Sequence, residues 1–229
     1  MLYRFGKTIV IALGGSVLFP EQIDVRYIRR FRKFILPWLK RKKFVIVAGG
    51  GRLCSIFQKA AEAVASVTDE DKDWIGIHAT RLNAHLLRAI FRREANPVVI
   101  DARRRVTKIT HPITIAAGWR PGWSTDYISV AVARDFGVGE VVVAGRPSFV
   151  YDKDHAVHED ARLIRRLSWK EYMKLIPPKW VPGAHAPVDP VAARLAKKSG
   201  IKAIVIGGKD LANFGNLLSS RNFRGSVIE

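Results

Sequence analysis

The sequence predicts an α/β fold, a three-layer αβα sandwich with a mostly parallel central sheet. Short, continuous apolar runs, the mark of strands buried on both faces, alternate with longer stretches whose apolar residues recur at helical spacing. Such alternation puts parallel strands into one sheet and the connecting helices onto its two faces. Three of the strands also run into glycine-rich turns: Gly14-Gly15-Ser16, Gly49-Gly50-Gly51 and Gly118 to Asp126.

The first strand is Thr8 to Leu13. From Asp24 to Lys42 the apolar residues Tyr27, Ile28, Phe31, Ile35 and Leu39 keep helical spacing, with Pro37 as a kink. A second buried strand, Phe44 to Ala48, feeds a helix from about Leu53 to Ala65. The acidic stretch Thr68 to Asp73 reads as a loop and helix start, its carboxylates near the positive end of the following helix dipole. That helix, Asp73 to Arg93, carries Ile75, Leu82, Leu86 and Ile90 on one expected core face. Pro97 to Ile100 and Pro112 to Ala116 read as strands. After the third turn comes a helix to Phe136 with Gly137 as C-cap, then a strand at Glu140 to Ala144. The stretch Ser148 to Trp180 is polar and rich in loops, with a helix at Trp169 to Leu175. A helix from Pro190 to Lys198 stopped by Gly200, a strand at Ala203 to Ile206, a helix at Leu211 to Leu218 and a strand at Ser226 to Ile228 complete the chain.

The 229 residues fit one domain, and 48% hydrophobic with 26% charged residues is the balance of a globular protein. A lone Cys54 excludes an internal disulfide framework and suits a reducing compartment. No apolar run approaches the ~18 residues of a membrane span, and the run at Thr8 to Leu13 is too short for a signal-peptide core. A cytoplasmic protein without membrane contact is expected.

Thirty-nine Lys and Arg against twenty Asp and Glu leave a net charge of +19. Such a balance attracts polyanions. The charge is spread through clusters at Arg29 to Lys33, Lys40 to Lys43, Arg103 to Arg105 and Arg162 to Arg166, with no aromatic residues interleaved in an RNA-binding pattern. It reads as a solvated basic surface ahead of a nucleic-acid site.

In open α/β sheets, ligands bind beyond the carboxyl ends of the strands. Three glycine turns at that edge let backbone N–H groups approach an anion closely, so phosphate is the expected ligand. The spacing fits neither a P-loop nor a dinucleotide fingerprint. The group His155, His158, Glu159 and Asp160 lacks a third well-placed ligand, so no protein metal site is expected. Cys54, after a glycine turn, reads as a small buried residue.

Gly14-Gly15-Ser16-Val17-Leu18, Gly49-Gly50-Gly51 and the segment from Asp73 through Ile75-Gly76-Ile77 to Thr80-Arg81-Leu82-Asn83-Ala84 together resemble the archaeal-type uridylate kinases of the amino-acid-kinase family. So do Pro121-Gly122 with Ser124-Thr125-Asp126, Val150-Tyr151 with Asp154, Asp189-Pro190 and Ser199-Gly200-Ile201. The similarity runs in order from about residue 8 to the C-terminus. It implies the amino-acid-kinase (carbamate-kinase-like) fold, with an acceptor-binding lobe at 1–140 and a nucleotide-binding lobe at 141–229. It implies transfer of the ATP γ-phosphoryl group to UMP, with Mg²⁺, by a hexamer. Gly50, Asp73 and the turn Trp119, Arg120, Pro121, Gly122, Trp123, Ser124 and Thr125 would hold UMP. Gly15, Ser16, Gly51, Tyr151 and Asp154 would lie on the ATP side. Gly14, Gly15 and Asp126 would flank the transferred group.

The departures from the family pattern cluster on the ATP side. Relatives carry Thr-Asn-Val-Asp-Gly-Val-Tyr where this chain has Gly145-Arg146-Pro147-Ser148-Phe149-Val150-Tyr151, and Ser55 stands where they place an Arg. Arg146, next to Gly145, is the expected replacement for lost positive charge and joins the catalytic candidates. Arg52, Arg120 and Lys209 are others, since a guanidinium or ammonium can clamp phosphate oxygens. Trp119 and Trp123 replace smaller or more polar residues on the acceptor side. Plainer roles stand beside these: Ser124 and Asp126 as helix caps, Asp73 as a dipole partner, Tyr151 as packing, Arg81 and Asn83 as structural polar groups. Other readings of the same fold are a kinase for another small phosphate or carboxylate, a non-catalytic nucleotide- or oxyanion-storing relative, and an RNA-binding protein on a kinase scaffold.

Overall fold

The computed structural model describes residues 1–179 and 186–229; Trp180, the end of the expected loop-rich stretch, lies outside them. In chain order the elements are β1 (Thr8–Leu13), α1 (Gly15–Leu18), α2 (Val25–Ile35), a 3₁₀ turn (Leu36–Lys40), β2 (Lys43–Ala48), α3 (Arg52–Val64), α4 (Asp69–Ile90), β3 (Ile113–Ala116), α5 (Thr125–Asp135), β4 (Glu140–Gly145), β5 (Val150–Tyr151), β6 (Leu163–Ile164), β7 (Arg166–Leu167), α6 (Trp169–Leu175), α7 (Pro190–Ser199), β8 (Lys202–Gly207), α8 (Leu211–Leu218) and β9 (Ser226–Ile228). Seven strands form one sheet in the order β3-β2-β1-β4-β8-β9-β7, and β5 pairs with β6 in a separate hairpin. From β3 to β8 all pairs are parallel; β9 runs antiparallel to β8.

The strands alternate between two cores. Ile9, Ile11 and Leu13 of β1 face one core, against α2, α4 and α8 through Phe31, Leu87, Phe91 and Phe214. Val10 and Ala12 face the other, against α5, α6 and α7 through Ile128, Val132, Tyr172 and Ala192. This period-two split explains why both faces of each strand had to be apolar.

Several expectations are corrected. The helix expected to start at Asp73 starts at Asp69, because Thr68 and Asp71 form a reciprocal capping box there. Of its expected core face, Leu86 and Ile90 pack half-buried against the core, but Leu82 is 61% exposed, and the fully buried positions are Ile77, Ala79, Thr80, Asn83, Ala84 and Leu87. The helix expected over Asp24 to Lys42 is α-helical only to Ile35 and then tightens into the 3₁₀ turn, with Pro37 in its first turn. Pro97 to Ile100 is no strand. It touches β3 through one bridge, at Ile100, with a second just before it at Ala95, while the Asn96 side chain draws the Val98 N–H into a local turn. No helix among the described residues is long and apolar enough to cross a membrane.

Candidate functional site

The parallel strands β1, β2, β3 and β4 all end at one edge, and so bring the three expected glycine turns together with Gly145. The first two turns lie backbone against backbone. A methyl group on Gly15 would sit 1.9 Å from the Gly51 nitrogen, and one on Gly49 would sit 2.3 Å from the Gly15 nitrogen. Gly51 also has φ +66°, so it needs glycine for its conformation as well as its size. Gly14 donates to the Ala144 carbonyl at 2.9 Å, and a methyl there would come within 3.0 Å of the Gly145 Cα. Gly50 adjoins Cys54, whose thiol is pushed up by burial and then by Asp73. A reactive thiolate is not what this environment favours.

A fourth glycine pair belongs to the same edge. Gly207-Gly208 ends β8; Gly208 donates to the Gly145 carbonyl at 3.0 Å, and its own carbonyl accepts the Tyr27 hydroxyl at 2.9 Å. A glycine pair directly after an apolar run was the signal for it, the same signal as in the first two turns.

Helix α4 holds both the second and third turns. Asn83, 4% exposed, donates its Nδ2 to the carbonyls of Gly49 at 2.8 Å and Gly50 at 3.0 Å. The Thr80 hydroxyl accepts the Gly118 N–H at 2.8 Å and donates to Ile77. Arg81 donates to the carbonyls of Gly118, Trp119 and Asp101 at 3.3–3.4 Å. Asp73 accepts the Gly122 N–H at 2.7 Å. Burial raises the Asp73 carboxyl; the Gly122 N–H partly offsets this, while Asp69 and Glu70 add to the rise. Asn83 and Arg81 are thus structural polar groups, as expected, and Thr80 joins them, a role that helical periodicity does not single out.

Aromatic rings line the third turn. Trp119 and Trp123 lie 6.1 Å apart, Trp123 and Tyr127 4.6 Å, and the Arg120 guanidinium sits 5.1 Å over the Trp123 ring. Trp119 is buried, with its indole N–H on the Ile100 carbonyl. Ser124 caps α5 by accepting the Tyr127 N–H and donates to Asp189, which caps α7 through Val191 and Ala192. Asp126, in the first turn of α5, keeps some surface exposure, yet its carboxyl is enclosed by protein. Desolvation first and the Asp189 charge second raise its pKa strongly, against partial relief from the Asp189 backbone.

Other expected site residues stand apart. Arg52 is paired with Glu21 at 3.6 Å and Lys209 with Asp24 at 3.0 Å, both on the surface. Arg146 is exposed and has no acidic partner among the described residues. Tyr151 stacks on His155 at 4.4 Å and 9°, and Asp154 caps its own turn through Ala156. Ser148 lies against Gly207, linking this altered segment to the fourth glycine pair. Ser16 is half-buried in α1 beside the first turn.

A family model described as the amino acid kinase family matches residues 7–207. The chain belongs to the amino acid kinase family. Within that family it is 30% identical over 224 residues to the uridylate kinase of Thermococcus gammatolerans, covering 96% of this chain and 99% of that protein. It is 31% identical over 212 residues to the uridylate kinase of Hyperthermus butylicus, covering 90% and 91%. The crystal structure of uridylate kinase from Archaeoglobus fulgidus superposes with a TM-score of 0.83 at 28% identity, over 98% of this chain and 100% of that one.

Proposed function

We propose that the protein is a nucleoside monophosphate kinase that moves the γ-phosphoryl group of ATP to UMP, releasing ADP and UDP. The observation that carries this reading is the contact of Gly15 with Gly51, which presses two phosphate-type turns together with no side chain between them. Near full-length similarity to uridylate kinases supports the choice of acceptor.

Phosphoryl transfer asks little covalent help of a protein; it needs two phosphates in line and their charge balanced. An oxygen of the UMP phosphate bonds to the γ-phosphorus as the bond to the ADP bridging oxygen breaks. On this reading residues 1–140 form the acceptor lobe, with Gly50, Asp73 and the turn Trp119 to Thr125 around UMP. Asp73 spends one carboxylate oxygen on Gly122 and keeps the other for a ribose hydroxyl. Residues 141–229 form the nucleotide lobe, where Gly145, Arg146, Tyr151 and Asp154 join Gly15, Ser16, Gly51 and Arg52 on the ATP side. Asp126 and Gly14 complete the transfer centre, and the unpaired, exposed Arg146 supplies positive charge.

Mg²⁺ would neutralise phosphate charge. The described residues contain no group of three metal-ligating side chains. The ion therefore fits as one carried mainly by nucleotide phosphates and water, its usual mode with nucleotides.

A cytoplasmic homo-oligomer, hexameric by resemblance, belongs to the same reading. Helix α3 buries none of its residues and leaves Phe57 60% exposed, alongside Ile56 and Val64, and its neighbour α4 exposes Trp74 and Leu82. Apolar side chains gathered on packed neighbouring helices suit a protein interface.

The test is incubation with Mg²⁺ and ATP and separate acceptors: UMP, CMP, GMP, AMP and isopentenyl phosphate. UDP formation is the expected result, with Arg146→Ala raising the KM for ATP more than that for UMP. Phosphorylation of another acceptor in preference to UMP, or of none, would overturn the assignment.

A further inference from the structure

We propose that α4 presets the ligand-facing N–H groups of two phosphate turns, with Asn83 and Arg81 as its positioning residues. The inference rests on the kinase reading for the identity of the anions and on the geometry alone for the device.

In a trans peptide, the carbonyl of one residue and the N–H of the next point in opposite directions. Among the described residues the one cis bond is Arg146–Pro147, so the peptides of both turns are trans. Asn83 draws the carbonyls of Gly49 and Gly50 toward α4. The N–H groups of Gly50 and Gly51 must then point away from the helix, onto the side where Gly15 lies. Neither donates to any acceptor among the described residues. Arg81 acts likewise on the third turn: it draws in the carbonyls of Gly118 and Trp119, so the N–H groups of Trp119 and Arg120 face outward, and they too donate to nothing there. Thr80 and Asp73 take the flanking N–H groups of Gly118 and Gly122, which leaves only the central pair free.

Each turn thus offers two adjacent, uncommitted N–H groups, the arrangement that binds phosphate oxygens and stabilises charge developing on them. Gly50 and Gly51 are half-buried and Arg120 is exposed, so these uncommitted N–H groups lie within reach of a ligand. The residue types suit the task. Asn has two N–H donors on one nitrogen, enough for two carbonyls, and no charge to bury. An Arg fork can serve several carbonyls from one position.

The test compares Asn83→Leu, Asn83→Asp and Arg81→Met with wild type by steady-state kinetics, by UMP and ATP titration calorimetry, and by thermal unfolding. Asn83→Leu should keep cooperative unfolding and lower kcat/KM by about 10- to 100-fold, the scale of losing an outer residue that orients a ligand-binding group. Asn83→Asp should be as poor at neutral pH but recover toward acid pH, because a protonated carboxyl regains a donor; wild type and the Leu variant should show no such recovery. Arg81→Met should raise the KM and Kd for UMP while leaving those for ATP unchanged. A folded Asn83→Leu within about twofold of wild type, or an Asn83→Asp without acid recovery, would overturn the role of Asn83. If both Asn83 variants fail to fold, Arg81→Met decides, and unchanged UMP affinity there removes the inference. If wild type forms no UDP, the kinase reading fails by itself, and the same variants are judged on nucleotide affinity alone.

Discussion

Ser124 donates its hydroxyl to the carboxylate of Asp189, so the cap of α5 and the cap of α7 are joined across 65 residues of chain. The third glycine turn is thereby tied to a helix of the C-terminal half. Removing the hydroxyl by Ser124→Ala loses an N-cap, a cost of about 1 kcal/mol, and should lower Tm by about 2–4 °C. Asp189→Asn should be milder alone, since Asn also caps. The double variant should be less destabilised than the sum of the two, because both remove one shared bond. Differential scanning calorimetry of the four proteins checks this.

Asp126 gives a pH prediction whose sign follows from its raised pKa. A carboxyl raised on folding contributes stability that is complete below the unfolded value and is lost as pH climbs through the folded one. Wild type should therefore lose stability between about pH 5 and pH 8 relative to Asp126→Asn, which carries no titrating group there. Parallel or converging melting curves for the two proteins in the opposite sense would contradict the assignment.

Gly15→Ala should be among the most damaging single changes. Its methyl would meet backbone atoms of Gly51 at 1.9 Å and Gly50 at 2.7 Å, and no flexible side chain can yield. The turns must part, and displacement of about 1 Å at a transfer site costs on the order of 100-fold in rate. Gly139→Ala is the control: nothing lies within 4 Å of its added methyl, so activity should be unchanged.

The exposed apolar side chains of α3 and α4 predict assembly. Phe57→Glu should shift the protein to a smaller species in light scattering after size exclusion, with folding retained because Phe57 lies outside both cores. An unchanged mass would place the contact elsewhere.

The strands were legible where burial is total. Thr8 to Leu13 lies where expected because every residue but Thr8 is buried, and Leu211 to Leu218 keeps its expected bounds. The same cue misled at Pro97 to Ile100, since an apolar run at a sheet edge still loses to one Asn side chain that captures a backbone N–H. The gathering of the glycine turns at one edge was readable, because the parallel strands that lead into them all end there. The face of α4 was not. Periodicity counts apolar residues, and Leu82 outscored Thr80 and Asn83, whose burial depends on turns more than 30 residues away in sequence. The Ser124–Asp189 link is invisible for the same reason: neither residue alone says more than helix cap.

Every hydrogen bond from α4 to the two turns ends on a main-chain atom, never on a turn side chain. The side chains of those turns are therefore free to change without moving the peptide planes beneath them. Trp123 occupies a position of that kind, whereas Trp119 is held in the core by its own bond to Ile100. On the kinase reading proposed above, choice of acceptor and placement of phosphate are in this way separately heritable, so that substitution can redraw what the turn recognises while the geometry of transfer passes on intact.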